Sequence, residues 1–223
     1  MGSETGTEKS KVFLVDDHPI VRQGLTLLIN REPDLSVCGE AEEAGPALQQ
    51  IEAIKPDIVL LDISITGPDG LELLKSLRLR SPLTPVLILS MHDESHYAER
   101  ALRAGANGYI MKQEATEKVL VAIRRILDGD IYLSDALANK MLHQFVGGQG
   151  AAKRSPIAGL TDRELEVFRL IGEGHVTRQI AEELHISVKT VESYQARIKE
   201  KLSLKNAREL VQRAIQWADE QSK

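Results

Sequence analysis

Residues 57–70 read DIVLLDISITGPDG. Ile58 to Leu61 run without a polar interruption and end on a carboxylate, Asp62, after which a turn begins. A short, unbroken apolar run closed by turn residues suits a strand buried on both faces, as in a parallel sheet covered by helices. An acidic residue where such a strand leaves the core costs free energy unless something uses the charge. The question raised by this stretch is therefore what Asp62 is for.

Working outward, the first 130 residues repeat the pattern. Residues 11–16 (KVFLVD), 35–41, 57–62, 85–90 (PVLILS) and 107–111 read as five short strands. Between and after them, residues 18–31, 44–54, a segment opened by DGLE (69–72), 94–104 and 116–127 carry apolar positions at helical spacing. Pro19 suits a first helical turn, and Pro56 stops a helix. Strands alternating with helices predict a doubly wound α/β domain with a parallel sheet. Such sheets bind ligands beyond the carboxyl ends of their strands. Five polar residues fall at that edge: Asp16 and Asp17 after the first strand, Asp62, Ser90, and Lys112 after the fifth.

Beyond residue 130 the pattern changes. Residues 131–146 read as one further helix begun by Ser134, and residues 147–156 (GGQGAAKRSP) have the composition of a flexible linker. The rest is helical. Thr161 and Glu164 have capping-box spacing. Gly172 and Gly174 read as breaks. A short helix at 177–184 is followed by a tight segment and by Ser187, a cap for the helix 188–202. Asn206 caps a last helix. Helix, tight turn and capped helix describe a helix-turn-helix, an all-α domain of four helices in total, whose later helix enters the DNA major groove. Lys189, Thr190, Glu192, Ser193, Ala196 and Arg197 lie off the apolar stripe of Val191, Ile198 and Leu202, where they can reach bases or phosphates. The expected division is a disordered tail at 1–10, an α/β domain at 11–130, a linker helix and flexible linker at 131–158, and a helical domain at 159–223.

Composition excludes several functions. Of 223 residues 42% are hydrophobic, enough for two modest cores. Aromatics are 4%, too few for a base-stacking platform. The lone Cys38 has no internal disulfide partner, which suits a cytoplasmic setting. No apolar run approaches the ~18 residues of a membrane span, and the N-terminus lacks the apolar core of a secretion signal. The net charge is −5, yet residues 187–213 hold seven basic and three acidic side chains, a local excess suited to a polyanion.

Each acidic-edge residue alone has an ordinary explanation: an Asp that forms a turn, a carboxylate pair favouring a helix N-terminus, a surface lysine. Together they describe more. Three crowded carboxylates raise one another's pKa unless a cation joins them. Oxygen donors of this kind suit Mg²⁺. A carboxylate can act as a nucleophile and form an aspartyl phosphate, with Mg²⁺ and Lys112 offsetting charge on the transferred group.

The segments VDD (15–17), LLDI (60–63) with Gly70 downstream, LS (89–90) and AGANGYIMK (104–112) resemble the receiver domain of bacterial two-component response regulators. The segments LTDRELEV (from Leu160), IGEG, QIAEEL, ISVKTVE and KL (from Lys201) resemble the LuxR/FixJ DNA-binding domain; the whole resembles a NarL/FixJ-type response regulator. The resemblance implies the flavodoxin-like strand order 2-1-3-4-5, with Asp62 as phosphoacceptor and Asp16, Asp17, Asp62 and the Ser64 carbonyl around Mg²⁺. It further implies Ser90 as the hydroxyl sensing the phosphoryl group, Lys112 as its ion-pair partner, and Tyr109 as the rotating aromatic. Lys201 joins the DNA-binding set. The implied partners are a sensor histidine kinase, double-stranded promoter DNA, a second copy in a phosphorylated homodimer, and RNA polymerase, with no membrane involved. The expected role is that of a transcription factor and not an enzyme: an aspartyl-phosphate hydrolase ordinarily places a second Asp two residues after its nucleophile, where Ser64 stands here. A regulator that binds DNA irrespective of phosphate is the alternative. The chain departs from the family pattern at Ile65, Thr66, Gln113, Tyr194, Gln195 and Arg197.

Overall fold

The computed structural model describes residues 9–65, 70–91, 94–146, 156–184 and 186–221. The chain divides into two compact units, residues 1–143 and 144–223. Residues 1–8 of the tail expected at 1–10, residues 147–155 of the expected linker and His185 lie outside the described residues; Ser10, expected in that tail, instead begins the first strand, its amide donating to the Asp34 carbonyl.

In the first unit the elements follow in the order β1 (Ser10–Val15), α1 (Pro19–Asn30), β2 (Leu35–Ala41), α2 (Ala44–Ile54), β3 (Ile58–Asp62), α3 (Gly70–Arg80), β4 (Val86–Ser90), α4 (Glu94–Arg103), β5 (Gly108–Met111) and α5 (Ala115–Leu127). The five strands pair in parallel in the order β2-β1-β3-β4-β5. Every residue of β3 and of β4 is buried, as their unbroken apolar runs require. Alternate strand positions face opposite sides. Val12, Leu14, Leu60, Leu87 and Leu89 pack under α1 and α5, against Leu25, Ile29, Val119, Ile123 and Ile126. Phe13, Val59, Leu61 and Ile88, equally buried, occupy the intervening positions.

The register places the polar edge. Val15 pairs with Leu61, so Asp16 and Asp62 are next along their two neighbouring strands. Ser90 pairs with Met111, one residue before Lys112. At Gly70 an added Cβ would lie 2.4 Å from the Asp62 carbonyl oxygen, so only glycine lets α3 start directly against the end of β3.

One sheet feature carries no periodic signal in the sequence. Tyr132, just after α5, forms a single parallel bridge with Gly108: the Tyr109 amide donates to the Tyr132 carbonyl and the Tyr132 amide to that of Asn107. Helix α6 (Asp135–Val146) follows, with the Leu137 amide donating to Ser134 Oγ.

The second unit contains α7 (Asp162–Gly172), α8 (Thr177–Glu183), α9 (Val188–Lys201) and α10 (Ala207–Gln221), after a 3-10 turn at Pro156–Gly159. Helix α7 packs on α9 and α10, and α8 on α9. Phe168 meets Trp217 with ring centroids 5.8 Å apart in the core. The expected capping box is present, with the Glu164 amide donating to Thr161 Oγ1 and the Thr161 amide to Glu164 Oε2. Gly172 does not break the chain: it is the last residue of α7, and a Cβ there would come within 2.6 Å of the Ala214 carbonyl oxygen on α10. The break falls at Gly174, whose φ is +90°.

Candidate functional site

Two groups of residues stand out, one in each unit. In the first, the carboxylates of Asp16, Asp17 and Asp62 converge with the ring of His18, offering ligand atoms within 4.8 Å of one another. Asp16 and Asp62 are buried, 2% and 1% exposed. Lys112, whose side chain is almost wholly buried, places Nζ 2.6 Å from Asp16 Oδ2 and 2.8 Å from Asp62 Oδ2. The other Asp62 oxygen, Oδ1, accepts from the Ser64 amide at 3.0 Å, which fixes the carboxylate's orientation. Asp16 Oδ1 accepts from the His18 amide at 2.8 Å, and His18 Nδ1 lies 2.8 Å from Asp17 Oδ1.

Burial pushes the Asp62 carboxyl above its ordinary value; Lys112 pulls it down and Asp16 pushes it further up, and burial prevails. Burial also opposes the Lys112 ammonium, but the charges and hydrogen bonds of Asp62 and Asp16 outweigh it and raise its pKa. Three carboxylates against one ammonium leave a formal surplus of two negative charges at a site where Asp16 and Asp62 are buried. Oxygen donors with that surplus fit a hard divalent cation such as Mg²⁺. Asp16, Asp17 and Asp62 are the residues that would hold it.

The structure thus brings together Asp16, Asp17, Asp62 and Lys112, with Ser64 tied to Asp62 through its amide. Ser90 is fully buried at the end of β4, the strand next to β3. Tyr109 is 1% exposed, in β5 opposite Ile88, so its side chain stands in the inward position. Sequence reasoning missed His18, whose only signal was its place directly after Asp17, and Arg22 of α1, whose guanidinium donates to the Asp16 carbonyl at 2.5 Å.

In the second unit, Ser187 caps α9: its Oγ accepts from the Thr190 amide at 3.1 Å. Val191 and Ile198 turn inward and are fully buried. Lys189, Glu192, Ser193, Ala196 and Arg197 are exposed, and Thr190 is half-buried beside Ser187. Gln195 Nε2 donates to Thr177 Oγ1 at 3.2 Å, tying α9 to the start of α8. Lys201 is placed differently from the rest of the expected set. Its Nζ lies 2.6 Å from Oε2 of Glu164, a carboxylate 1% exposed, and so joins the end of α9 to the start of α7. Burial works against the Glu164 carboxylate, but Lys201 and the Thr161 amide and hydroxyl outweigh it and lower its pKa.

A family model described as the response regulator receiver domain matches residues 12–124, and one described as bacterial regulatory proteins of the luxR family matches residues 158–214. The oxygen regulatory protein NreC of Staphylococcus haemolyticus is 36% identical over 209 residues, which cover 92% of this chain and 96% of that protein. A two-component response regulator of the LuxR family from an Aurantimonas species is 37% identical, with TM-score 0.58 over 62% of this chain and 99% of that one. RcsB from Salmonella enterica serovar Typhimurium, solved bound to the rprA promoter with a phosphomimetic, is 25% identical with TM-score 0.57 over 92% of this chain and 98% of that one. Among the described residues no helix is long and apolar enough to cross a membrane.

Proposed function

The chain belongs to the response regulators that join a receiver domain to a LuxR-type DNA-binding domain, and from that premise we propose that Asp62 is its phosphoacceptor and α9 its DNA-reading helix. The observation that carries this reading is the Lys112 ammonium bridging Asp16 and Asp62 at the ends of neighbouring strands, beside a third carboxylate.

In this reading a histidine kinase presents a phosphohistidine. An Asp62 carboxylate oxygen attacks phosphorus, the new O–P bond forms as the P–N bond breaks, and the imidazole leaves with a proton from solvent. Asp16, Asp17 and Asp62, with the Ser64 carbonyl, would hold Mg²⁺, which would supply charge stabilisation for the transferred group. Ser64 keeps Asp62 Oδ1 oriented, and Lys112 is positioned to pair with the phosphoryl oxygens. Ser90 is the hydroxyl that senses the new group, with Tyr109 moving in concert with it.

The output lies in the second unit. The face of Lys189, Thr190, Glu192, Ser193, Ala196 and Arg197 contacts DNA, and Lys201 anchors the far end of α9 through Glu164. Phosphorylation favours a homodimer on two half-sites about 34 Å apart, one DNA turn, in the cytoplasm, where RNA polymerase is the downstream partner. Residues 11–130 act as the receiver, 131–158 as the connection and 159–223 as the DNA-binding domain.

The test is labelling with acetyl phosphate and Mg²⁺, read as an acid-stable, base-labile adduct on intact protein. Wild type takes one phosphoryl group and Asp62→Ala none. Equal labelling of the two would remove Asp62 from the reaction.

A further inference from the structure

Outside the carboxylate cluster, a charged side chain of the first unit is held unusually tightly: Arg22, on the second turn of α1. Its side chain is 10% exposed, unusual for a guanidinium. Nη1 donates to the backbone carbonyl of Asp16 at 2.5 Å. Nη2 donates to Glu42 Oε1, and Nε lies 3.4 Å from Glu40 Oε2. Glu40 and Glu42 flank Ala41, the last residue of β2, and the Ala41 carbonyl accepts the Asp16 amide at 3.1 Å. Asp16 is therefore held at both of its main-chain polar groups, and both holds trace to residues 40–42 at the end of β2. One runs directly through Ala41. The other runs through Arg22, which Glu40 and Glu42 orient.

The segment held in this way is the turn carrying Asp16 and Asp17. A turn between a strand and a helix has several backbone conformations open to it, and each would aim the two carboxylates differently. The Asp16 amide alone fixes one end of the peptide chain there. The guanidinium fixes the carbonyl side, leaving the Asp16–Asp17 peptide plane little freedom. The net charge of the device is not positive, since two carboxylates face one guanidinium. Its effect on the site is thus geometric rather than a direct attraction for the acidic cluster.

We propose that Arg22 is a positioning residue for the divalent cation: with Glu40 and Glu42 it locks the Asp16 main chain and so presets the aim of the Asp16 and Asp17 carboxylates. This rests on the reading of Asp62 and its neighbours as a Mg²⁺-dependent phosphoacceptor site. Outer-shell groups that orient metal ligands ordinarily govern affinity by roughly 10- to 100-fold. Lysine cannot replace the fork, because a single ammonium cannot reach a carbonyl and two carboxylates at once.

The experiment uses the full chain and Mn²⁺ as a spin probe, with the free ion counted by electron paramagnetic resonance on unphosphorylated protein. Arg22→Met weakens Mn²⁺ binding about tenfold, and Arg22→Lys does not restore it. In acetyl phosphate labelling, the Mg²⁺ concentration giving half-maximal rate rises by a similar factor, while the rate at saturating Mg²⁺ stays within about twofold. A merely structural arginine would lower the unfolding midpoint and leave Mn²⁺ affinity unchanged, and that result overturns the proposal. Should Arg22→Met fail to fold, Glu42→Gln, altering a side chain 63% exposed, takes its place. Binding weakened severalfold then supports the proposal, and wild-type affinity defeats it. The underlying reading fails separately: labelling of Asp62→Ala at the wild-type level removes the phosphoacceptor and leaves the Mn²⁺ comparison standing.

Discussion

Each unit of this protein buries a carboxylate against a lysine, and the two pairs have opposite characters. In the receiver, Lys112 reaches Asp62 at 2.8 Å and Asp16 at 2.6 Å. In the DNA-binding domain, Lys201 reaches Glu164 at 2.6 Å. The distances match; the pKa shifts do not. Asp62 is pushed up, because burial outweighs Lys112 and Asp16 adds a like charge. Glu164 is pulled down, because Lys201 and the Thr161 amide and hydroxyl together outweigh burial. One carboxylate is satisfied by its own chain and serves as a fastener. The other is left short of positive charge, which is the condition for recruiting a cation. A buried ion pair is informative for function when its charges do not balance.

The contrast can be broken most directly at Glu164. Replacing it with Gln removes a charged acceptor from the Lys201 ammonium and the Thr161 amide. The expected loss is about 2 kcal/mol of stability, of the order seen for hydrogen bonds to charged groups, read by urea unfolding of the full chain. Phosphoryl labelling of Asp62 is unaffected. The loss depends on pH. The folded-state pKa of Glu164 lies below that of the unfolded chain, so its contribution is fully present above the unfolded carboxylate value of ~4.3 and is lost as pH falls through the folded value. The gap between wild type and Glu164→Gln therefore closes on acidification. A gap that persists below both values would show that Glu164 acts by packing alone.

Asp62→Asn in metal-free buffer should move the other way, raising receiver stability by about 1 to 2 kcal/mol, because it removes one of the crowded charges while Lys112 keeps Asp16. Here the folded-state pKa is raised, so the ionised form is the disfavoured one: the advantage of Asn is largest at neutral pH and shrinks as pH falls and Asp62 itself becomes neutral. Calorimetry in the presence of a chelator measures it, and a destabilised Asn variant would end the contrast. The smallest expected effect is that of Thr161→Ala, which deletes half of the capping box and costs about 1 kcal/mol. It sharpens the comparison by separating the cap from Lys201 as support for Glu164, and a cost near zero would assign that support to Lys201.

The sheet was legible because buried strands betray themselves by unbroken apolar runs, and the capping box because its spacing is local. The acidic edge was legible for the same reason, since strand ends can be counted along the chain. What escaped reading depends on contacts with no local pattern. Arg22 sits on an amphipathic helix, where an arginine ordinarily points to water, and its partners lie at the end of another strand. The Tyr132 bridge is one residue long, too short for any periodicity. Gly172 looked like a break because glycine usually is one; its actual role, close approach to α10, depends on a residue 42 positions away. Lys201 fitted a DNA-facing set by resemblance, and only the fold discloses the Glu164 carboxylate beside it.

The Phe168–Trp217 contact has a practical consequence. Trp217 is the single tryptophan of the chain, 7% exposed in the core of the DNA-binding domain. Red-edge ultraviolet excitation therefore yields emission from that domain alone. The receiver is optically silent at those wavelengths, so melting of the helical half can be followed in the intact molecule without attaching a dye.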